Sequence, residues 1–266
     1  MGAVLPLAFG MVIKILFNPA SEGIDISGAL IYFTIPMPLQ NLPITESQVN
    51  SALVIITIFF LCLYFTHGLA VKASLKRQLI VEWIVNQTQS LVKTNMSDYF
   101  AGFAPFVAAI MGLSAFSSLL ALLGMYAPTA DINIVGGWAI LVFILITYYK
   151  MKCGPIHYIK SFGDPVPFLS PLNIISEVAT PVSMAFRHYG NVLSGAVISV
   201  LVAAGLQGLS NLLLGWLPGF LGEIPFLQVG LPAILSIYFD VFTSFLQAYI
   251  ISMLTMVYVS GVDPRD

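Results

Sequence analysis

The sequence predicts an all-α integral membrane protein: about five transmembrane helices and an interfacial amphipathic helix, the last two transmembrane helices long and strongly tilted. Three observations predict it. Of 266 residues, 58% are apolar and only 8% charged, with a mean hydropathy of +0.94; a soluble domain carries about a quarter charged residues. Apolar runs recur that are long enough, at 1.5 Å per helical residue, to cross roughly 30 Å of hydrocarbon. The charges gather in the stretches between those runs. A net charge of −2 names no partner, and nucleic acid is excluded as a sensible one. Cys62 and Cys153 have no Cys/His ligand spacing around them, so neither a zinc site nor a disulfide framework is expected, nor any cofactor.

Residues 1–17 are apolar but lack a basic start, and Lys14 lies near their far end, the wrong polarity for a signal peptide. A short, retained, membrane-associated helix is expected. Residues 18–50 are polar and rich in Pro, Gly, Ser and Thr, and read as an extramembrane loop with a short hairpin around 30–35. Together, 1–50 form an extracytoplasmic segment ahead of one helical membrane domain, 51–266. The first span is 51–71, with Lys72, Lys76 and Arg77 after it. In 76–95, Leu79, Ile80, Trp83, Ile84 and Leu91 mix with Lys76, Arg77, Glu82 and Lys93, the pattern of a helix lying at the interface. A second span covers 100–127, where Gly102, Gly112 and Gly124 offer close helix contact. A third covers 133–149 and ends on Lys150 and Lys152. Four prolines in 153–171 make that stretch a surface connection. Two helical segments, 171–206 and 226–259, close the chain, and both exceed the length of one crossing.

With five spans, Lys72, Lys76, Arg77, Lys93, Lys150, Lys152, Lys160 and Arg265 fall on one side. Glu22, Asp25, Glu46, Asp131 and Glu223 fall on the other, with only Lys14 as a base. The positive-inside rule then makes the C-terminus cytoplasmic and the N-terminal loop external. No internal repeat of the kind that marks many secondary transporters is present.

Within the spans one residue demands explanation. Arg187 is the only Lys or Arg between Lys160 and Arg265, and a guanidinium at membrane depth costs about 2.5–3.5 kcal/mol on insertion scales. Arg187, Asn191, Ser194 and Gly195 recur at i, i+4, i+7 and i+8 and share one helix face. Asp240, Ser244 and Gln247 recur likewise in the last segment, so two apolar helices each present a polar stripe with one charge. Lipid cannot satisfy them, so the stripes turn toward each other or toward a shared watery crevice. A buried Arg187–Asp240 ion pair fixing helix register is the plainer alternative. Glu177, near its helix start, suits either a first-turn carboxylate favoured by the dipole or a place on an aqueous access path. His188 reads as an ordinary polar neighbour, since one His without a spaced partner is no ligand set. His67 and His157 fall at span ends, and Trp83, Trp138 and Trp216 suit anchoring or packing.

The segment MAFRHYGNVLSG (184–195) carries Arg187-His188-Tyr189-Gly190-Asn191 and then Ser194-Gly195, with TPVSMAF (180–186) leading in and FLQAYIISMLTMVYVS (245–260) in the final helix. On these motifs, in this order, the chain closely resembles the subunit a family of the bacterial rotary ATP synthase, over roughly residues 40–262. The resemblance implies a stator subunit of the Fo sector, in the bacterial plasma membrane and not an enzyme on its own. Its implied partners are the c-subunit ring, peripheral-stalk subunit b, the rest of the F1Fo complex and the lipid bilayer. It further implies that Arg187 faces the ring carboxylates, and that two offset half-channels pass protons (or sodium ions) to and from the ring. The translocating part is then 171–262, with Asp240, Asn191, Gln247, Glu177, Ser194 and Ser244 along the ion path and Gly190 and Gly195 in helix packing. Two departures stand out: Asp240 occupies a place where the family usually has His or Glu, and Ala196 one where bacterial members often have Glu. The competing readings are a secondary transporter or antiporter-like subunit of a respiratory complex, and a non-conducting scaffold.

Overall fold

The computed structural model describes residues 5–17, 28–38, 40–68, 76–96, 98–152, 154, 158, 162, 168, 170–214, 234–235 and 237–260. Most of the predicted connection at 153–171 lies outside them, as do Cys153, His157, Trp216, the turn after 214, and Lys72, Lys160, Glu22, Asp25, Glu223 and Arg265. Helix α1 (Leu5–Phe17) is followed by a two-stranded antiparallel hairpin, β1 (Ile31–Ile35) against β2 (Leu42–Thr45), with Ile31 opposite Thr45 and Ile35 opposite Leu42. Then come α2 (Glu46–Thr66), α3 (Lys76–Asn95), α4 (Ala104–Leu119), α5 (Ile132–Lys152), α6 (Ser170–Leu214) and α7 (Thr243–Ser260). Five helical segments are long and apolar enough to cross a membrane: Glu46–Thr66, Tyr99–Leu123, Ile132–Lys152, Ser170–Ser210 and Ile237–Ser260.

Helix α2 starts at Glu46, five residues before the predicted span. Thr45-x-x-Gln48 is a capping box: the Thr45 N–H donates to Gln48 Oε1 at 3.4 Å, and Glu46 adds a first-turn carboxylate. The Glu46 N–H also donates to the Leu30 carbonyl at 2.7 Å, tying the hairpin onto the helix. At the other end of α2, Arg77 Nη2 donates to the His67 carbonyl at 2.7 Å and links α2 to α3. Along α3, Leu79, Ile80, Trp83 and Ile84 are exposed while Val92 is buried. The chain leaves that apolar side open, as an interfacial helix requires.

The second span is composite: a 3₁₀ turn at Asp98–Phe103, α4, and a 3₁₀ turn at Leu120–Leu123 that stops at Gly124 with φ of 70°. Gly124 therefore serves the left-handed stop. Among the described residues, nothing lies within 4 Å of where a Cβ would stand on Gly102, Gly112 or Gly124, so the expected close helix contacts at these three are corrected for that part of the chain. Helix α4 packs most extensively along α7, and α5 along α6. The main core joins Val92, Phe103, Val107, Val142, Ile251 and Met256, and a second cluster joins Leu53, Val54, Leu120 and Met125 to Leu7 and Met11 of α1.

Helix α6 runs unbroken for 45 residues through the interior Pro181. At 1.5 Å per residue that is about 68 Å, twice a bilayer core, so it cannot stand upright. Only 6% of its most apolar stretch is buried by the chain, against 22–39% in the other four spans. Before α7, Ile237–Phe242 forms a π-helical turn.

Candidate functional site

Helix α6 carries Arg187 on its outside. The guanidinium is exposed and makes no hydrogen bond or ion pair among the described residues. The alternative of a register-fixing Arg187–Asp240 pair is therefore corrected. Beside Arg187 a crevice of about 230 Å³ is walled by Ser176, Thr180 and Ser183 of α6 and by Leu254 and Tyr258 of α7. Ser176, Thr180, Ser183 and Arg187 recur at i, i+4, i+7 and i+11, one continuous face running from the guanidinium toward the start of α6.

Gly195 lies against α7's lead-in. A Cβ placed on it would meet the Phe239 side chain at 3.0–3.2 Å, so any side chain here requires Phe239 to give way by a few tenths of an ångström. Gly190 has nothing among the described residues within 4 Å at the same test. The 195/239 contact and the shared wall of 180/254 and 176/258 fit a single antiparallel register. That register sets Arg187 about level with Gln247, Asn191 with Thr243, and Ser194 with Asp240. Gln247 is buried, and its Nε2 has no hydrogen-bond partner among the described residues. Ser244 is buried and donates to the Asp240 carbonyl at 2.6 Å, while Asp240 and Asn191 are half-buried and Ser194 is exposed. Asp240 sits inside the π turn, whose wider winding rotates it away from the direction an unbroken α-helix would give.

Glu177 lies two turns into α6, not in its first turn, so the helix-dipole reading is corrected. Its Oε2 accepts from Lys150 Nζ at 2.7 Å, joining the end of α5 to α6, and the Tyr158 hydroxyl is 3.5 Å from Oε1. Burial first, and then the Glu177 carboxylate, push the Tyr158 phenol above its ordinary value, so it stays a neutral donor.

At the opposite end of the bundle the start of α2 meets the 124–131 loop. Ser47 donates to Asp131, Asn50 Nδ2 to the Tyr126 carbonyl at 2.9 Å, and the Tyr126 N–H to Glu46 at 3.4 Å. Burial, then Asp131, Tyr189 and Glu46, raise the Tyr126 hydroxyl, which remains protonated and donates to the Ala130 carbonyl at 3.1 Å. Sequence reasoning passed over this loop cluster. It also passed over a fully buried set in the core: Ser114, Ser117, Ser118 and Thr129, with His188 alongside. The signal was present in part, since Ser114, Ser117 and Ser118 recur at i, i+3 and i+4 in an otherwise apolar helix.

The site is thus a lone exposed guanidinium between a hydroxyl-lined crevice and a buried polar group, on a helix the chain scarcely covers. A protein-family model described as "ATP synthase A chain" matches residues 49–260. The chain belongs to that family. It is similar to proteins named "ATP synthase subunit a", at 28% identity in Legionella pneumophila (strain Paris), covering 84% of this chain and 88% of the relative. The relative in Priestia megaterium is 32% identical, covering 84% of this chain and 94% of its own. Family membership makes this chain a multi-pass membrane stator subunit of the Fo sector in the F1Fo ATP synthase, and not a catalyst by itself.

Proposed function

We propose that Arg187 is the fixed charge past which the coupling ion cannot leak, facing the carboxylates of a c-subunit ring. The observation that carries this is its exposure, without a partner among the described residues, on the least covered span. Arg stays protonated at any accessible pH, so it favours the ionised form of an opposing carboxylate and displaces the ion bound there. Each ion crossing 100 mV supplies about 2.3 kcal/mol, and a short circuit at this point would waste it.

Two half-channels meet at Arg187 in this reading. One is the crevice of Ser176, Thr180, Ser183 and Tyr258, on the part of α6 where Glu177 also pairs with Lys150 of α5. The other approaches along Asp240, Ser244, Gln247, Asn191 and Ser194. The lysine-bearing helix ends face the cytoplasm of a bacterial cell, the hairpin and Asp131 lie outside, and subunit b contacts the same membrane domain. Gly195 sets the spacing of α6 and α7, Gly190 leaves the Arg187 face uncrowded, and 171–262 is the translocating part.

The test is ion-driven ATP synthesis and ATP-driven pumping in vesicles carrying the whole complex. Arg187→Ala is expected to abolish both while the complex still assembles. Arg187→Lys is expected to fail as well, because an ammonium lacks the planar fork and shifts its pKa readily. Undiminished coupling in Arg187→Ala would refute the role.

A further inference from the structure

The β-hairpin lies ahead of residues 49–260, the part that the family model matches, and it carries an apolar face that the chain leaves open. Beyond a register shift between Ile31 and Phe33, Phe33 stands opposite Ile44 and Ile35 opposite Leu42. Side chains alternate along a strand, so these four share one face, with Thr34 and Pro43 on the other. Phe33 is 56% exposed, Ile35 and Leu42 are exposed, and Ile44 is half-buried. Met37, just past β1, is exposed as well. A two-stranded hairpin is marginal at best in water and holds only when a face packs on something.

The base of the hairpin is pinned at two points. The Glu46 N–H donates to the Leu30 carbonyl at 2.7 Å, and the Tyr126 phenol oxygen accepts from the Ala29 backbone. Glu46 opens a membrane span. The polar start of α2, with Glu46, Ser47, Gln48 and Asn50, rises over about 7 Å, the depth of one headgroup layer. The hairpin is thereby held at the height where α2 enters the hydrocarbon. Helix α1 rests on α2 about 10 Å further in: a Cβ on Gly10 would stand 2.6 Å from Leu53 Cδ1 and 2.7 Å from Met125 Cε. Leu5, Phe9 and Val12, at i, i+4 and i+7, form the open side of α1, and it too is apolar.

We infer that the hairpin is a membrane-surface anchor, with Phe33, Ile35, Leu42 and Ile44 seated in the lipid interface beside the start of α2. This goes beyond the stator reading and does not depend on it. The hairpin stops at the boundary of headgroups and acyl chains, because its outer edges carry backbone groups that hydrocarbon leaves unsatisfied. Headgroups and their water satisfy them. No charged residue stands between Asp25 and Glu46, so the face fits an apolar boundary and has no charge with which to select anionic lipid. Four side chains also fall far short of the roughly 20–30 residues a side of a specific protein interface. Lipid requires no such area, since the span already holds the hairpin against the bilayer and little association entropy is left to lose.

The experiment uses the whole complex in phosphatidylcholine vesicles, with the native cysteines of every subunit replaced. An environment-sensitive fluorophore on Phe33→Cys is expected to emit with the blue shift of an apolar site. Lipid bearing a nitroxide near its headgroup is expected to quench it more than lipid bearing one at the chain end. Aqueous iodide is expected to quench it less than the same label on Thr34→Cys, which lies on the opposite face. Should the Phe33 variant not assemble, a label on Ile35→Cys gives the same reading. With the label on Leu42→Cys, adding Phe33→Glu and Ile35→Glu is expected to abolish the lipid quenching and raise that by iodide. Added salt is expected to change none of this. Iodide quenching without lipid quenching would place the face in water, and protection from both would place it under a protein; either overturns the anchor. So does equal iodide access at 33 and 34, a requirement for anionic lipid, or lipid quenching that survives the two glutamates.

Discussion

Asp240 is the acid on the α7 side of the site, and its setting limits what it can do. Its backbone lies in the π turn, its carbonyl accepts the Ser244 hydroxyl at 2.6 Å, and its side chain is half-buried about level with Ser194. A carboxylate there can exchange a proton with water in an access path, whereas an amide of the same shape cannot. Asp240→Asn is expected to depress ion-driven synthesis about tenfold or more with the complex assembled, while Asp240→Glu, which restores a titratable group, recovers most of it. Full coupling in the Asn variant would remove Asp240 from the path and leave its role to the shape of the π turn. Arg187 and Asp240 were legible in the sequence because each is a solitary charge in a long apolar stretch. Their relation was not. Period-3.6 reasoning assumed unbroken α-helix through 240–247, and a π turn leaves no clear signature in residue order. His188 reads in the sequence as an ordinary polar neighbour; its approach to Ser114, 74 positions away, is a long-range contact that residue spacing does not predict.

The helix pair that positions the site depends on one small residue. Gly195 faces Phe239 at a distance where even a methyl group would press on the ring and on its Cβ, 3.1 Å away. Gly195→Ala gains about 0.8–1 kcal/mol of helix propensity, offset by the shift forced on Phe239, and is expected to leave stability nearly unchanged. Gly195→Leu has no such offset. It is expected to cost about 1–3 kcal/mol by overpacking and to lower the thermal stability of the extracted complex, with weaker coupling, because Arg187 and Gln247 are set level by this contact. A Leu variant as stable as the parent would mean that the 195/239 contact does not hold the pair in register. At this scale the spans and the interfacial helix followed from apolar run length and from where lysines stopped each run. The start of α2 did not, although Thr45-x-x-Gln48 announces it, because PITESQ reads as loop by composition alone. The glycines of the second span misled in the other direction: a small residue permits close contact but does not show that a neighbour arrives.

The molecule as a whole is lopsided, and that asymmetry is the strongest argument for what covers it. Helix α6 is the longest of the described elements, yet the chain buries only 6% of its most apolar stretch. Val178, Val182, Phe186 and Leu201 stand exposed along it, with Arg187 among them. If lipid covered that surface, the guanidinium would cost about 2.5–3.5 kcal/mol with nothing to offset it. A proteinaceous partner bearing carboxylates at the same depth removes the cost and, if it turns, uses the charge once per subunit. The face of α5 carrying Ile140, Ile144 and Tyr148 is also exposed but has no charge at its centre, so lipid suffices there. Cross-linking separates the two surfaces. With Cys62 and Cys153 replaced, Val182→Cys or Phe186→Cys paired with a cysteine placed near the ion-binding carboxylate of the c subunit is expected to form a disulfide under mild oxidation. Ile140→Cys and Ile144→Cys are expected to form none. The α6 cross-link is further expected to stop ATP-driven pumping and release it on reduction, since it fastens rotor to stator. A ring that cross-links through α5 and not α6 would turn the site away from its carboxylates and refute the arrangement.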